Sequence, residues 1–326
     1  MRALLLSLLL LACPACRSST DAAAEVGRDG DEIVVCGELF DTGVPVVLWF
    51  DPGGYSAYET RPRFSEDGPS GLRYRPGRAV DDPELRARIE AGGLGLAELQ
   101  EVVDQFVLHY DACGTSRRCF EVLQDLRKLS VHFLLDVDGT IYQTLDLREQ
   151  AWHARQANRR SVGVEIAQIG AYPASAAGSA AKLDAWYPRD ANGVRLSLPE
   201  AMGDGGVRTA GFAGRPARPE RLRGPINGRE YVQHDFTPEQ YESLVALTAA
   251  LVRALPRIRV EVPRDAAGAV RSGALEDGEF EGFAGILGHY HVSSDKADPG
   301  PAFDWDRYLA AVRARLAAAA TLASDS

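Results

Sequence analysis

The chain has 326 residues, of which 45% are hydrophobic and 25% are charged, and its formal net charge is −10. This length suits one large domain or two small ones, and the composition is that of a globular protein with a sizeable core. The acidic balance argues against a nucleic-acid partner, because such proteins normally carry a basic domain. Five cysteines are too few for a disulfide-rich scaffold.

The N-terminus has the pattern of an export signal over residues 1–16. A positively charged start precedes the Leu- and Ala-rich stretch 3–12, which is too short to span a bilayer. Residues 10–13 read Leu-Leu-Ala-Cys, which is similar to the lipobox of bacterial lipoproteins. Cys13 is a better lipidation candidate than Cys16, because an apolar residue lies three places upstream of it. We therefore predict an exported protein of the bacterial envelope, anchored by lipid and facing the periplasm, with an ordinary cleaved signal as the alternative.

The rest of the chain divides by composition. The predicted segments are a polar tether at 17–30, an N-terminal extension at 31–98, a main domain at 99–312 with an insertion at 171–230, and a helix end and tail at 313–326. The insertion is rich in Ala, Gly, Pro and Arg and has little periodicity. Because a long structureless loop is unusual inside a compact domain, we expect it to pack near the mouth of a cleft, ordered in part by Trp186, Tyr187 and Tyr231.

Hydrophobic periodicity and turn signals predict strands and helices in alternation. Strands are predicted at 33–35, 44–50, 102–110, 132–136, 140–144, 161–169 and 286–289, and helices at 82–91, at 119–129, from 237 onward and at 304–320. Val137-Asp138-Gly139 is a hairpin signal, and Thr237-Pro238-Glu239-Gln240 has the pattern of a capping box with Pro at the first helical position. This mixture predicts an α/β fold with a central mixed β-sheet flanked by helices.

Export would place the cysteines beyond the signal in an oxidising compartment. Cys113 and Cys119 enclose five residues that include a glycine, which suits a short disulfide loop. Cys36 has no obvious partner, and we predict that it is a buried free thiol.

Two of the six histidines each end a predicted strand: His109 and, far away in the sequence, His289. Asp298 follows in the segment Lys-Ala-Asp-Pro-Gly-Pro. Two histidines and one carboxylate, with a fourth position left to water, form a catalytic zinc arrangement. Spacing alone does not separate this arrangement from polar strand ends at the surface.

A series of motifs in order resembles the type 2 N-acetylmuramoyl-L-alanine amidases, a family that includes phage and bacterial amidases and the animal peptidoglycan recognition proteins. The motifs are Val107-Leu-His-Tyr-Asp111, Val131-His-Phe-Leu-Leu-Asp-Val-Asp-Gly139, Ala151-Trp-His-Ala154, Ser161-Val-Gly-Val-Glu-Ile166, Phe236-Thr-Pro-Glu-Gln-Tyr241 and Lys296-Ala-Asp-Pro-Gly-Pro301. The resemblance covers about residues 100–170 and 234–312. It implies that the main domain has an amidase-like fold and hydrolyses the amide between N-acetylmuramic acid and L-alanine in peptidoglycan or muropeptides. It also implies a Cys113–Cys119 disulfide like that of the animal proteins.

The same resemblance implies roles for five residues. His109, His289 and Asp298 would bind Zn²⁺, with Glu165 as the catalytic acid and Lys296 as the catalytic lysine. Zinc lowers the pKa of a bound water, so that a nucleophile exists at neutral pH. Glu165 could move a proton from that water to the leaving amine, and Lys296 could stabilise the oxyanion.

The predicted strand at 161–169 gives an independent argument for Glu165. Val162, Val164 and Ile166 alternate with it, so its side chain points away from the buried row. The face that it shares with Gly163 and Ala167 has small neighbours, which would leave space for substrate.

For four further residues, the sequence leaves two interpretations open. His132 and His153 are assigned to substrate contact or to support of the ligands, and a buried, hydrogen-bonded His132 is equally expected. Trp152 could pack under a sugar or fill the core. His291 departs from the family pattern and could be a rival ligand or an outer partner of the metal.

Two other functions stay open at this stage. The same fold could bind peptidoglycan without cutting it, although such relatives typically lack a ligand that is present here. The insertion could instead redirect a zinc amide hydrolase to another substrate. We expect a monomer.

Overall fold

The computed structural model describes residues 28–324, with side chains described to residue 321. The predicted signal, Cys13 and most of the tether lie outside the described residues. Within the described range, no helix combines the length and the apolar character needed to cross a bilayer.

We number the elements in chain order. The strands β1 to β15 of the described residues are Glu32–Val35, Glu38–Asp41, Val46–Leu48, Tyr74–Arg75, Gln105–Tyr110, Phe133–Leu135, Ile141–Gln143, Gln150–Ala151, Ser161–Ile166, Tyr172–Pro173, Arg189–Asp190, Gly193–Val194, Leu222–Ile226, Arg229–Gln233 and Gly285–Gly288. The α-helices α1 to α8 of the same range are Pro83–Gly92, Leu96–Val102, Ser116–Glu121, Ser179–Trp186, Pro238–Ala254, Asp277–Gly282, His289–Val292 and Trp305–Ser324. A π-helix at Val122–Arg127 continues α3, and short 3-10 helices lie at Arg155–Arg159 and Glu200–Met202.

A six-stranded sheet forms the centre of the molecule, in the order β15-β5-β9-β6-β7-β3. Strands β15, β5, β9 and β6 are parallel, β7 runs antiparallel to β6, and β3 runs parallel to β7. The predicted mixed α/β fold is therefore confirmed. Strand β3 comes from the N-terminal extension, so this segment supplies one edge of the central sheet.

The largest hydrophobic cluster joins one face of this sheet to helices α5 and α8. Val162, Val164 and Ile166 of β9 belong to it, together with Leu244 and Leu247 of α5. Burying each such side chain stabilises the fold by about 1.5–3 kcal/mol. Because these β9 residues face the helices, the other face of β9 is turned toward the opposite side of the sheet.

Helix α5 begins as the sequence predicts. The Thr237 hydroxyl accepts a hydrogen bond from the Gln240 N–H at 3.1 Å, and the Gln240 side chain accepts one from the Thr237 N–H at 3.0 Å. These two bonds complete the capping box, and Pro238 occupies the first helical position.

The sequence prediction missed helix α2 and began β5 too early. Gly95 precedes this helix, and the Glu98 side chain accepts a hydrogen bond from the Gly95 N–H at 3.2 Å. Glycine has no side chain that could cap a helix, so the sequence gives no signal for the start of α2. Val102 and Val103 continue directly into the apolar run of the next strand, so the end of α2 is also hidden. The predicted helix at 119–129 begins earlier, at Ser116, because Thr115 caps it.

The insertion has more regular structure than its composition suggests. It contains α4, the hairpin β11–β12 and strand β10, and it ends in the hairpin β13–β14, whose second strand continues past the predicted boundary at 230 to Gln233 and pairs with β10. Leu183, Tyr187 and Val194 pack with Ile169 in a small hydrophobic cluster of their own. Helix α4 also contacts the main domain, because a Cβ at Gly114 would overlap the Trp186 ring.

The expected Cys113–Cys119 disulfide is wrong for this structure. Cys36, Cys113 and Cys119 are all free thiols, as expected for Cys36, although Cys36 is only partly buried. Burial raises the pKa of the Cys119 thiol, and a hydrogen bond with the Cys113 side chain raises it further. Cys119 therefore stays protonated, and a protonated thiol resists oxidation. The turn is closed instead by Asp111 Oδ1, which accepts hydrogen bonds from the Cys113 and Gly114 N–H groups at 2.8 and 3.0 Å.

Candidate active site

Three neighbouring parallel strands of the central sheet bring polar side chains together at their carboxyl ends. His109 of β5 lies opposite Glu165 of β9, and Gly288 of β15 lies opposite Leu108. His289 directly follows β15 and therefore arrives beside His109. The carboxyl ends of parallel strands commonly form ligand sites in this way.

Asp298 completes a compact group of three possible metal ligands with these two histidines. Nδ1 of His109 lies 3.0 Å from Nδ1 of His289 and 2.9 Å from Oδ2 of Asp298, and the His289–Asp298 distance is 3.0 Å. All three side chains are buried. Two imidazole nitrogens and one carboxylate oxygen directed at one point are a donor set that fits zinc, with a fourth position left for water or substrate.

The protonation states of this group suit metal binding. Burial lowers the pKa of His109 to about 4, with a further lowering by His289, so that its ring is neutral at neutral pH. Burial alone would raise the pKa of Asp298, but His289 and His109 hold it well below its ordinary value. A neutral imidazole and an ionised carboxylate are the forms that bind metals.

His153 contacts the second nitrogen of His109. If Nδ1 of His109 is the ligand atom, its proton lies on Nε2, which then donates to Nδ1 of His153 at 3.0 Å. Nε2 of His153 in turn donates to the Ser161 hydroxyl at 3.3 Å. These two bonds fix the tautomer and the orientation of His109, so the structure places His153 in direct support of the ligand.

His132 lies one layer further from the ligands. It is fully buried, its Nδ1 accepts from the Gly163 N–H at 3.2 Å, and its Nε2 donates to the Glu149 carbonyl at 3.0 Å. Its ring packs against His153 with 5.9 Å between centroids. Burial and the nearby Arg78 guanidinium lower the pKa of His132 to about 3. Of the two interpretations, the buried, hydrogen-bonded histidine describes this position.

Gly163 does not leave open space for substrate, contrary to the sequence argument. A Cβ at this position would lie 2.5 Å from Nδ1 of His153. The His153 ring occupies the room beside the glycine, so the small residue serves the support of His109.

Glu165 and Lys296 both line the cleft that contains the possible ligands. Burial raises the pKa of Glu165 well above its ordinary value, and the Asp298 and Asp111 carboxylates raise it further, whereas Lys296 opposes this effect. Glu165 therefore holds a proton more readily than an exposed glutamate does. The cleft thus combines a possible proton carrier and a cation beside the His–His–Asp group.

The cleft has a volume of about 740 Å³ and receives side chains from several segments. Trp152 and His153 form part of its wall. The insertion contributes Trp186 and Met202, and the hairpin β13–β14 at its end contributes Tyr231. Of these, only Trp186 and Tyr231 were expected to help order the insertion, and no sequence motif indicated that Met202 would reach the cleft.

His291 is not a rival ligand. It is fully buried, its Nδ1 accepts from the Gly288 N–H at 2.9 Å, and its Nε2 donates to the Arg271 carbonyl at 2.8 Å. Both nitrogens therefore hold backbone, at the junction between β15 and the short helix α7.

Residues 99–195 match the family model described as N-acetylmuramoyl-L-alanine amidase. This segment of the chain is similar to the type 2 amidases. The amidase match begins within α2 and includes His109, His132, His153 and Glu165, but it ends before His289, Lys296 and Asp298. The chain is thus an enzyme of the amidase class, which hydrolyses an amide bond in peptidoglycan. A comparison with curated protein sequences gives no match.

Solved amidase structures resemble this amidase over about two thirds of its chain. AmpD is 18% identical, with 65% of this chain and 86% of AmpD covered and a TM-score of 0.32. AmiD from E. coli, in complex with anhydro-N-acetylmuramic acid-L-Ala-D-γ-Glu-L-Lys, is 16% identical, with 64% and 57% covered and a TM-score of 0.35. AmpDh3 from Pseudomonas aeruginosa, in complex with an anhydromuramic pentapeptide, is 17% identical, with 64% and 59% covered and a TM-score of 0.35. The chain spans less than two thirds of the length of the last two proteins.

Proposed function

We propose that this amidase cleaves the bond between N-acetylmuramic acid and L-alanine in peptidoglycan or muropeptides, and that it uses zinc. The observation that carries the proposal is the convergence of His109, His289 and Asp298 with Glu165 and Lys296 in one cleft. Zinc bound by the first three residues would supply a Lewis acid that activates water and polarises the amide carbonyl.

The remaining chemistry belongs to two side chains. Glu165 holds and moves a proton: its carboxylate takes one from the attacking water, and its raised pKa lets the acid form persist long enough to protonate the leaving amine. Lys296 carries a positive charge on the wall of the same cleft, where it stabilises the negative charge that develops on the carbonyl oxygen. These roles need both residues beside the scissile bond, and the cleft has room for a short peptide and a sugar.

The proposed site of action is the bacterial envelope. The supporting features are the export pattern of residues 1–16 and the lipobox-like Cys13. Metabolic labelling with a radioactive fatty acid tests this part, since a Cys13→Ser variant should lose the label and leave the membrane fraction.

Digestion of purified peptidoglycan by residues 28–326, followed by mass spectrometry, tests the reaction itself. We expect free stem peptides that begin with L-alanine, together with peptide-free glycan, and we expect both to disappear with EDTA and to return on addition of Zn²⁺. Peptidoglycan that binds the protein without being cut would support the non-catalytic alternative. Cleavage that EDTA leaves unchanged would refute the metal role.

A further inference from the structure

The hairpin β13–β14 at the end of the insertion contacts the loop that carries Lys296 and Asp298. Asn227 lies at the tip of this hairpin with a φ of 48°, in the left-handed region. Its side-chain NH₂ donates to the Lys296 carbonyl at 2.9 Å and lies 3.5 Å from the Ser293 carbonyl. Its side-chain oxygen accepts from the Ala274 N–H at 2.9 Å. One amide therefore ties the backbone of Lys296 to a second segment of the main domain.

Gln233, at the other end of the same hairpin, holds the loop beyond Asp298. It is fully buried, its NH₂ donates to the Pro299 carbonyl at 3.0 Å, and its oxygen accepts from the Ala302 N–H at 3.0 Å. The two amides thus bind the backbone on either side of the metal ligand. Each needs a donor and an acceptor on the same side chain, which Asn and Gln provide.

The loop needs such support because residues 293–302 have no helix or strand of their own. Within this stretch, the Lys296 N–H donates to the Ser293 carbonyl at 3.1 Å, and the Asp298 carbonyl accepts from the Tyr290 N–H at 3.1 Å. These local bonds leave the carbonyls of Lys296 and Pro299 to be satisfied from outside. The hairpin satisfies both, and it does so from a segment that forms no part of the central sheet.

We propose that Asn227 and Gln233 are positioning residues of this amidase, which hold Lys296 and Asp298 in their working geometry through the loop backbone. The insertion is then a component of the catalytic apparatus and not only a wall of the cleft. The inference rests on the proposed function for Lys296, whereas its consequence for metal binding by Asp298 does not depend on any reaction.

The first test is Asn227→Gly. Glycine adopts a positive φ without strain, so this change removes the side-chain bonds and keeps the turn. Because Lys296 acts on the transition state, we expect kcat to fall about tenfold or more while KM and the zinc dissociation constant stay within about twofold. A merely structural role would lower the melting temperature without this split between kcat and KM.

The second test is Gln233→Met, which keeps the approximate volume and removes both hydrogen bonds. We expect its zinc dissociation constant, measured by competition with a fluorescent chelator, to rise about tenfold or more. This reading requires no substrate, so it stands even if the wild-type protein cleaves nothing, which would refute the proposed function alone. If Gln233→Met does not fold, Asn227→Gly still decides the proposal.

The matched control is Asn192→Gly. Asn192 lies in the turn of the β11–β12 hairpin of the same insertion and is exposed. It should match the wild type in kcat and in zinc affinity. The proposal is overturned if Asn227→Gly keeps the wild-type kcat, or if folded Gln233→Met keeps the wild-type zinc affinity.

Discussion

Replacing Gly163 by alanine should weaken zinc binding although this residue touches no proposed ligand. The new Cβ would lie 2.5 Å from Nδ1 and 2.6 Å from Cε1 of His153. Since non-bonded carbon atoms prefer about 3.5–4 Å, the ring must move by roughly 1 Å. That movement breaks or stretches the 3.0 Å hydrogen bond through which Nε2 of His109 is held. Loss of such a supporting bond typically costs about 10–100-fold in metal affinity, which is the effect we expect.

Competition with a fluorescent zinc chelator measures this effect, and thermal unfolding of the apo-protein measures the accompanying strain, which we expect to cost about 1–3 kcal/mol. Gly92→Ala is the control, because a Cβ there meets nothing within 4 Å. His153→Phe supplies a second reading: it keeps an aromatic ring but removes the acceptor, and should weaken zinc binding to a similar degree. Wild-type affinity in both Gly163→Ala and His153→Phe would refute the reasoning.

Two further predictions concern proton transfer and stability. Glu165→Gln should lower kcat by about 10²–10⁴-fold with unchanged zinc content by elemental analysis, because an amide cannot carry the proton; retained turnover would contradict this role. Burial raises the pKa of Asp136 from 3.8 to about 7. Its contribution to stability is therefore fully present below about pH 4 and is lost as the pH rises through 7, a difference of roughly 4 kcal/mol at about 1.4 kcal/mol per pKa unit. In urea unfolding at about pH 5 and pH 8, Asp136→Asn should lose less stability than the wild type between the two values, and an equal loss would contradict the argument.

The elements that the sequence predicted well are those with local signals. The capping box at Thr237 and the hairpin around Gly139 depend on residues that are adjacent in the sequence, and the structure has both. Helix α2 was missed because Gly95 gives no capping side chain to detect, and its last residue, Val102, extends the apolar run of the next strand. Local patterns therefore predicted element types better than element boundaries.

The site residues also divide into those that the sequence could indicate and those that only the fold reveals. His109, His289 and Asp298 could be named because few residue types bind zinc and because ordered motifs accompanied them, and the structure brings all three together. The role of Gly163 could not be inferred, because it depends on the position of the His153 ring, which only the fold brings beside it. The disulfide was wrong because spacing cannot show that the Cys119 thiol is buried and that burial raises its pKa.

The two halves of the ligand group are supported by different parts of the chain. His109 is oriented from within the main domain, by its hydrogen bond to His153 and by the bond from His153 to Ser161. Asp298 lies in a loop without secondary structure, whose backbone is held by the amides of the insertion hairpin. Because a zinc site with three protein ligands needs all three in place, neither support can replace the other. This division explains why a segment outside the sheet contributes to the geometry of a site at the carboxyl ends of the strands.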